Sequence, residues 1–152
     1  FVVGEAERPG SYTVSGLSTI TNALFESGGV KPIGSLRGIQ LKRGGRTVAT
    51  LDLYDLLLNG DTRNDVRLQP GDAIFIPPVG DTIAVDGEVR RPAIYEIRPG
   101  TTATEAVRLA GGLTPEADPR TATVERIAAR LNRTVVDVDL TQPATGAVRL
   151  QS

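Results

Sequence analysis

Apolar residues come along this chain in short runs, and the gaps between runs are filled by Gly, Pro, Asn and Asp. That punctuation predicts strands joined by tight turns. Phe1 to Ala6 predicts a strand, Arg8-Pro9-Gly10 a turn, and Ser11 to Val14 the returning strand. Pro sets φ for such a turn and Gly supplies the freedom that follows it. The period then changes. Ile20, Ala23, Leu24 and Ser27 stand at i, i+3, i+4 and i+7, one face of a helix from about Thr19 to Ser27. Gly28-Gly29 ends that helix, because Gly adopts the left-handed cap at little cost. Gly38 to Arg43 and Thr47 to Asp52 predict a hairpin around Gly44-Gly45. Leu53 to Asn59 predicts a second short helix, capped by Asp52 and stopped by Gly60. A polar loop, Asp61 to Asp65, leads through Val66-Arg67-Leu68 to the turn Gln69-Pro70-Gly71-Asp72 and a last strand, Ala73 to Ile76. Pro77-Pro78-Val79-Gly80 is a short stiff junction.

The pattern is then written again. Gly87-Glu88-Val89-Arg90-Arg91-Pro92 repeats Gly4-Glu5-Ala6-Glu7-Arg8-Pro9 at an offset of about 83 residues. With no gap, Tyr12 falls on Tyr95, Thr19 on Thr102, Gly28-Gly29 on Gly111-Gly112, Arg37 on Arg120 and Arg43 on Arg126. A period this long marks a small domain copied in tandem, 1–80 and 81–152, not a solenoid repeat. The second copy predicts strands at Thr82–Val89, Ala93–Ile97, Ala122–Ile127 and Thr134–Asp139. Its helix, with Ala103, Ala106, Val107 and Ala110 on one face, begins in a capping box of Thr102 and Glu105. Ala128-Ala129-Arg130-Leu131 lengthens the middle hairpin, and Gln142-Pro143 predicts a loop in place of the leucine-rich helix. Val148-Arg149-Leu150-Gln151 repeats Val66-Arg67-Leu68-Gln69, so the closing strand of the second copy is expected beyond the given sequence.

Composition narrows the function. The 152 residues carry a net charge of −1, with 17 basic and 18 acidic side chains spread over both halves, whereas a nucleic-acid surface needs a basic face. Lys31 and Lys42 are the only lysines; the remaining basic residues are Arg, which suits bidentate contacts to carboxylates. A genome rich in Arg codons explains the same bias. With no Cys there is no disulfide, and no run is long and apolar enough to span a bilayer. The chain lacks an initiator Met and reads as a piece of a longer protein.

Without His or Cys there is no Ser-His-Asp triad, no Cys-His pair and no zinc site of the usual kind. Asp61, Asn64 and Asp65 share one loop, but their spacing is not that of a calcium loop, and a solvated turn is the better reading. Lys42-Arg43-Gly44-Gly45-Arg46 lacks the spacing and the helix of a phosphate loop and reads as a hairpin tip. Neither a catalytic residue, a metal ligand nor a cofactor is predicted. The repeated Arg8 and Tyr12, and Arg91 and Tyr95, are the candidate ligand-binding residues: an aromatic face for a sugar ring and a guanidinium for an acidic sugar. The structural alternative has Pro9 and Pro92 setting turns, Arg pairing with a nearby Glu, and Tyr packing at a sheet edge.

Hairpin, helix, further strands and a last strand after a Pro-Gly-Asp turn is the order of an α+β, β-grasp (ubiquitin-like) domain, a mixed sheet on one helix. Gly-Glu-x-x-Arg-Pro, Ala110-Gly111-Gly112-Leu113-Thr114 and Leu68-Gln69-Pro70-Gly71-Asp72-Ala73-Ile74 resemble tandem soluble-ligand-binding β-grasp (SLBB) domains. They are most similar to those of bacterial outer-membrane polysaccharide export proteins. The resemblance implies a non-enzymatic, periplasmic scaffold, held to the outer membrane by parts outside this sequence. It further implies self-association into rings around the exported polysaccharide, and contact with an inner-membrane polysaccharide co-polymerase. Two alternatives remain: a saccharide or small-molecule receptor without a channel role, and an adhesion or DNA-uptake accessory module.

Overall fold

A computed structural model describes residues 1–128 and 132–150 of the chain. Its architecture is α+β, in two units, Phe1–Val79 and Gly80–Ser152. Unit 1 runs β1 (Val2–Gly4), α1 (Ile20–Glu26), β2 (Ile39–Arg43), β3 (Arg46–Leu51), α2 (Leu53–Asn59) and β4 (Ala73–Ile76). Its strands form one mixed sheet in the order β1-β4-β2-β3. The pair β1–β4 is parallel, in register Val2↔Ile74 and Gly4↔Ile76, and the other pairs are antiparallel.

Alternation decides which face of the sheet is dry. Ile39 and Leu41 on β2, Ile74 and Ile76 on β4, Val2 on β1 and Leu51 on β3 pack with Ile20, Ala23 and Leu24 of α1 into one core. The helix is short, so packing of this apolar face must hold it, helped by capping at its start. Asp65 supplies that cap: its carboxylate accepts from Thr21 N and Thr19 Oγ1, both at 2.9 Å. The second helix follows its local signals closely. Asp52 accepts from Tyr54 N at 2.8 Å, and Gly60 stops the helix in the left-handed conformation at φ 68°.

Unit 2 runs β5 (Thr82–Val85), β6 (Ala93–Glu96), α3 (Ala103–Leu109), β7 (Ala122–Ala128), β8 (Asn132–Val138) and α4 (Pro143–Gly146). Its strands form two hairpins, β5–β6 and β7–β8, not one sheet. The capping box is present: Thr102 N donates to Glu105 Oε2 at 2.8 Å, and Glu105 N to Thr102 Oγ1 at 3.3 Å. Val89, Tyr95, Ile97, Ala103, Ala106, Ala110 and Val138 are buried.

Three expectations need correction. Ser11–Val14 is not a strand; Val2 bridges Gly10 alone. In unit 2 the same bridge, Val85↔Ala93, is one rung of a ladder that continues to Thr82↔Glu96. The strand expected over Thr82–Val89 ends at Val85. In unit 1 the equivalent stretch, Val2–Gly4, is held extended by β4, and among the described residues no strand lies on that side of β5. Gln142-Pro143 opens a one-turn helix, not a loop, since Pro suits the first helical position. Of the inserted hairpin residues, 129–131 lie outside the described residues.

Candidate functional site

The feature written twice in the sequence is built twice in the structure. In each unit the Gly-Glu-x-x-Arg-Pro segment lies across the C-terminal end of the main helix, where carbonyls lack intrahelical partners. In unit 1 Glu7 N donates to Gly29 O at 3.0 Å and Arg8 N to Ser27 O at 2.9 Å. In unit 2 Arg90 N donates to Gly112 O at 3.0 Å and Arg91 N to Ala110 O at 2.9 Å. The guanidiniums complete the arrangement. Arg8 Nη2 donates to Glu26 O at 3.0 Å and Arg91 Nη2 to Leu109 O at 3.3 Å, placing positive charge at the negative end of each helix dipole.

Tyr12 and Tyr95 lock the same turns from the other side. Tyr12 Oη donates to the Arg8 carbonyl, and Tyr95 Oη donates to the Arg91 carbonyl at 2.6 Å. The Tyr12 ring packs against the core of unit 1, and Tyr95 is only 8% exposed. Gly28 and Gly111 belong to the same design. Both have φ +84°, and a Cβ on Gly111 would meet Arg91 Cζ at 3.2 Å. The structure therefore brings Arg8 to Tyr12 and Arg91 to Tyr95. In both pairs the hydroxyl and the guanidinium are directed to backbone carbonyls. The Glu partners differ from expectation: Glu5 faces Lys31 at 3.9 Å, and Glu88 accepts from Thr114 Oγ1 at 2.8 Å.

One concavity of about 280 Å³ opens in unit 1 between Phe1, Tyr12, Val14, Gln69, Asp72 and Ile74. Of the four candidate residues only Tyr12 lines it. On its rim Asp72 takes Arg43 in a bidentate pair, Nε and Nη2 each at 2.8 Å, and also accepts from Gln69 N at 2.8 Å. The Arg43 hydrogen bonds, with the Gln69 amide, hold the Asp72 carboxyl below the usual carboxylate range. Asp52, equally buried, takes Arg37 Nε at 2.9 Å, and the Arg37 guanidinium lies 5.0 Å from the centre of the Tyr54 ring.

The loop carboxylates serve separate ends. Asp61 binds Arg63, whose hydrogen bonds bring it to a pKa of about 2, whereas Asp65 caps α1. Among the described residues no cluster of His, Cys, Asp or Glu is arranged to hold a metal ion, and no helix is long and apolar enough to cross a membrane.

Against known families, residues 1–76 and residues 82–139 each match an SLBB domain. The chain belongs to the SLBB domain family, with two such domains in tandem. The SLBB pair is 35% identical over 99 residues to the polysialic acid transport protein KpsD of Escherichia coli. A second KpsD sequence from the same organism matches at the same identity. The shared stretch is 64% of this chain but 18% of KpsD, so the SLBB pair spans about a fifth of the curated relatives it matches.

Two long-range contacts of the SLBB pair escape a reading by eye, Arg43 to Asp72 and Asp65 to α1, because each joins residues far apart in sequence. For the first a signal exists. Arg43 recurs at Arg126, which marks it as more than a hairpin-tip charge.

Proposed function

We propose that this chain is the periplasmic part of an outer-membrane polysaccharide export protein, and that its two units are β-grasp domains acting as rigid elements of a ring-like scaffold. The observation that carries this reading is the tandem SLBB match together with the likeness to a polysaccharide transport protein. The geometry supports a scaffold role. The residues written into both units, Arg8, Tyr12, Arg91 and Tyr95, spend their polar atoms on helix ends and turns, which stiffens each unit. The mixed sheet of unit 1, with its parallel β1–β4 pair and one main helix, supports the β-grasp assignment. In this reading a closed ring requires that one face of a subunit meet a different face of the next. An inner-membrane polysaccharide co-polymerase delivers the polymer to it.

Deleting the encoding gene from its host is the direct test. Polymer retained inside the envelope, with restoration by the intact gene, is the expected result; unchanged surface polymer overturns the proposal. A full-length protein that stays monomeric in detergent at high concentration overturns the ring alone. A second reading, a saccharide receptor, is favoured by the concavity beside Tyr12. Saturable chemical-shift changes around Tyr12 and Gln69 on titration with the host's own oligosaccharides would establish it.

A further inference from the structure

The helices α1 and α3 end in the same backbone arrangement, but the side chains gathered at those ends differ in charge. Gly28 and Gly111 mark the matched point. A Cβ on Gly28 would meet Glu7 Cβ and Arg8 Nε, both at 3.3 Å, and one on Gly111 would meet Arg90 Cβ and Arg91 Cζ, both at 3.2 Å. Glu7 and Arg90 therefore occupy one position in the two units, as Arg8 and Arg91 do. Phe25 and Arg108 correspond as well, since Gly28 N donates to Phe25 O and Gly111 N to Arg108 O, each at 3.0 Å. The next residue is Glu26 in unit 1 and Leu109 in unit 2.

The end of α1 thus carries Glu7, Arg8, Phe25 and Glu26, one cation against two carboxylates. The end of α3 carries Arg90, Arg91, Arg108 and Leu109, three cations and no carboxylate. Arg91, like Arg8, gives one arm to a helix-end carbonyl. Arg90 and Arg108 have no such task. Both are exposed, and among the described residues neither side chain has a hydrogen-bond or ion-pair partner. Glu88 accepts from Thr114 Oγ1, and Glu105 accepts from Thr102 N at the start of α3.

A cation is favourable at a helix C-terminus. Unit 1 nevertheless builds the same cap with Glu in place of Arg90 and Phe in place of Arg108, so the fold does not require these two charges. Guanidiniums gathered at one helix end repel one another, and a ligand bearing carboxylates both neutralises them and matches their planar donor forks.

We propose that the end of α3, with Arg90, Arg91 and Arg108, binds a chain of acidic sugars, and that the equivalent end of α1 does not. The anionic character follows from the residues; that the anion is a polysaccharide rests on the export reading above. Exposed arginines at separate points suit a polymer that repeats its carboxylate. Nucleic acid is the poorer occupant, because Tyr95 is buried with its hydroxyl donating to the Arg91 carbonyl and offers no platform for a base.

NMR titration of the isotope-labelled chain is the test. The probes are an oligogalacturonate, a maltooligosaccharide of equal length and an oligothymidylate of equal charge. The oligogalacturonate is expected to shift Arg90, Arg91, Arg108, Gly111 and Gly112 saturably, and added salt should weaken its binding. The neutral sugar should leave these signals in place, and no probe should move Glu7, Gly28 or Gly29. Arg90→Glu with Arg108→Phe gives unit 2 the residues that unit 1 carries at these positions, and should weaken binding about tenfold or more. The reverse exchange, Glu7→Arg with Phe25→Arg, should bring uronate shifts to Gly28 and Gly29. No uronate shifts, equal shifts at both helix ends of the unaltered chain, or full affinity in Arg90→Glu with Arg108→Phe overturns the proposal. Should that variant fail to fold, the reverse exchange decides, and its failure to bind overturns the proposal. Tighter binding of the oligothymidylate at the same residues overturns the sugar and makes the surface one for nucleic acid. The export reading is tested apart, by gene deletion: a chain that ignores uronate leaves it standing, and unchanged surface polymer with uronate binding intact overturns export alone.

Discussion

At the scale of single residues the repeated tyrosines do the work of a latch. Tyr95 is buried and its hydroxyl closes on the Arg91 carbonyl. Tyr95→Phe keeps the packing and removes one neutral hydrogen bond, so urea unfolding is expected to show a loss of about 0.5–1.5 kcal/mol in unit 2. A loss near zero would show that the hydroxyl is not needed for the turn. Asp72 carries a second prediction. Its folded carboxyl lies below the unfolded value of about 3.9. Its contribution to stability is therefore complete above that value and is lost as the pH falls through the lower folded one. Acid titration of unit 1 should show this loss at the bottom of the carboxylate range, and Asp72→Asn should flatten that limb. An unchanged acid limb in Asp72→Asn would assign the loss to other carboxylates.

At the scale of elements, what was legible in the sequence was local. Asp52 and Gly60 bound α2 at the residues expected, and Thr102 with Glu105 starts α3, because caps act over three or four positions. What was not legible depended on distance or on a missing neighbour. Asp65 looked like a loop carboxylate because its targets, Thr19 and Thr21, are more than 40 residues away. The return strand at Ser11–Val14 had the right composition, but the only pairing there is the bridge of Val2 with Gly10 among the described residues. The same holds for the candidate site: the repeat singled out Arg8, Tyr12, Arg91 and Tyr95, but not the helix-end carbonyls that receive Arg8 and Arg91. Asp65→Ala tests the capping role. It should destabilise unit 1 by about 0.5–2 kcal/mol, the range for loss of a helix cap, with exchange at the start of α1 rising most. Uniform loss across the unit would point instead to a change in the loop alone.

At the scale of the whole molecule, the two units repeat one sequence plan but bury different amounts of it. Unit 1 places Val2, Ile20, Leu24, Ile39, Leu41, Leu51, Ile74 and Ile76 out of water, within a sheet whose central strands are bonded on both sides. Unit 2 buries Val89, Tyr95, Ile97 and Val138 with a set of alanines, under two separate hairpins. Each buried large aliphatic side chain contributes roughly 1.5–3 kcal/mol relative to an exposed one, against which alanine adds little. The slowest-exchanging amides of the chain are therefore expected in β2 and β4, and those of β7 and β8 should exchange by more frequent local opening. Ile74→Ala, which removes a core side chain from the centre of the unit 1 sheet, should cost about 2–5 kcal/mol and bring β2 and β4 toward the exchange rates of unit 2. Equal protection in the two units of the unaltered chain would mean that a smaller core is offset by contacts beyond side-chain burial. Faster exchange in β2 than in β7 would reverse the ranking of the two cores.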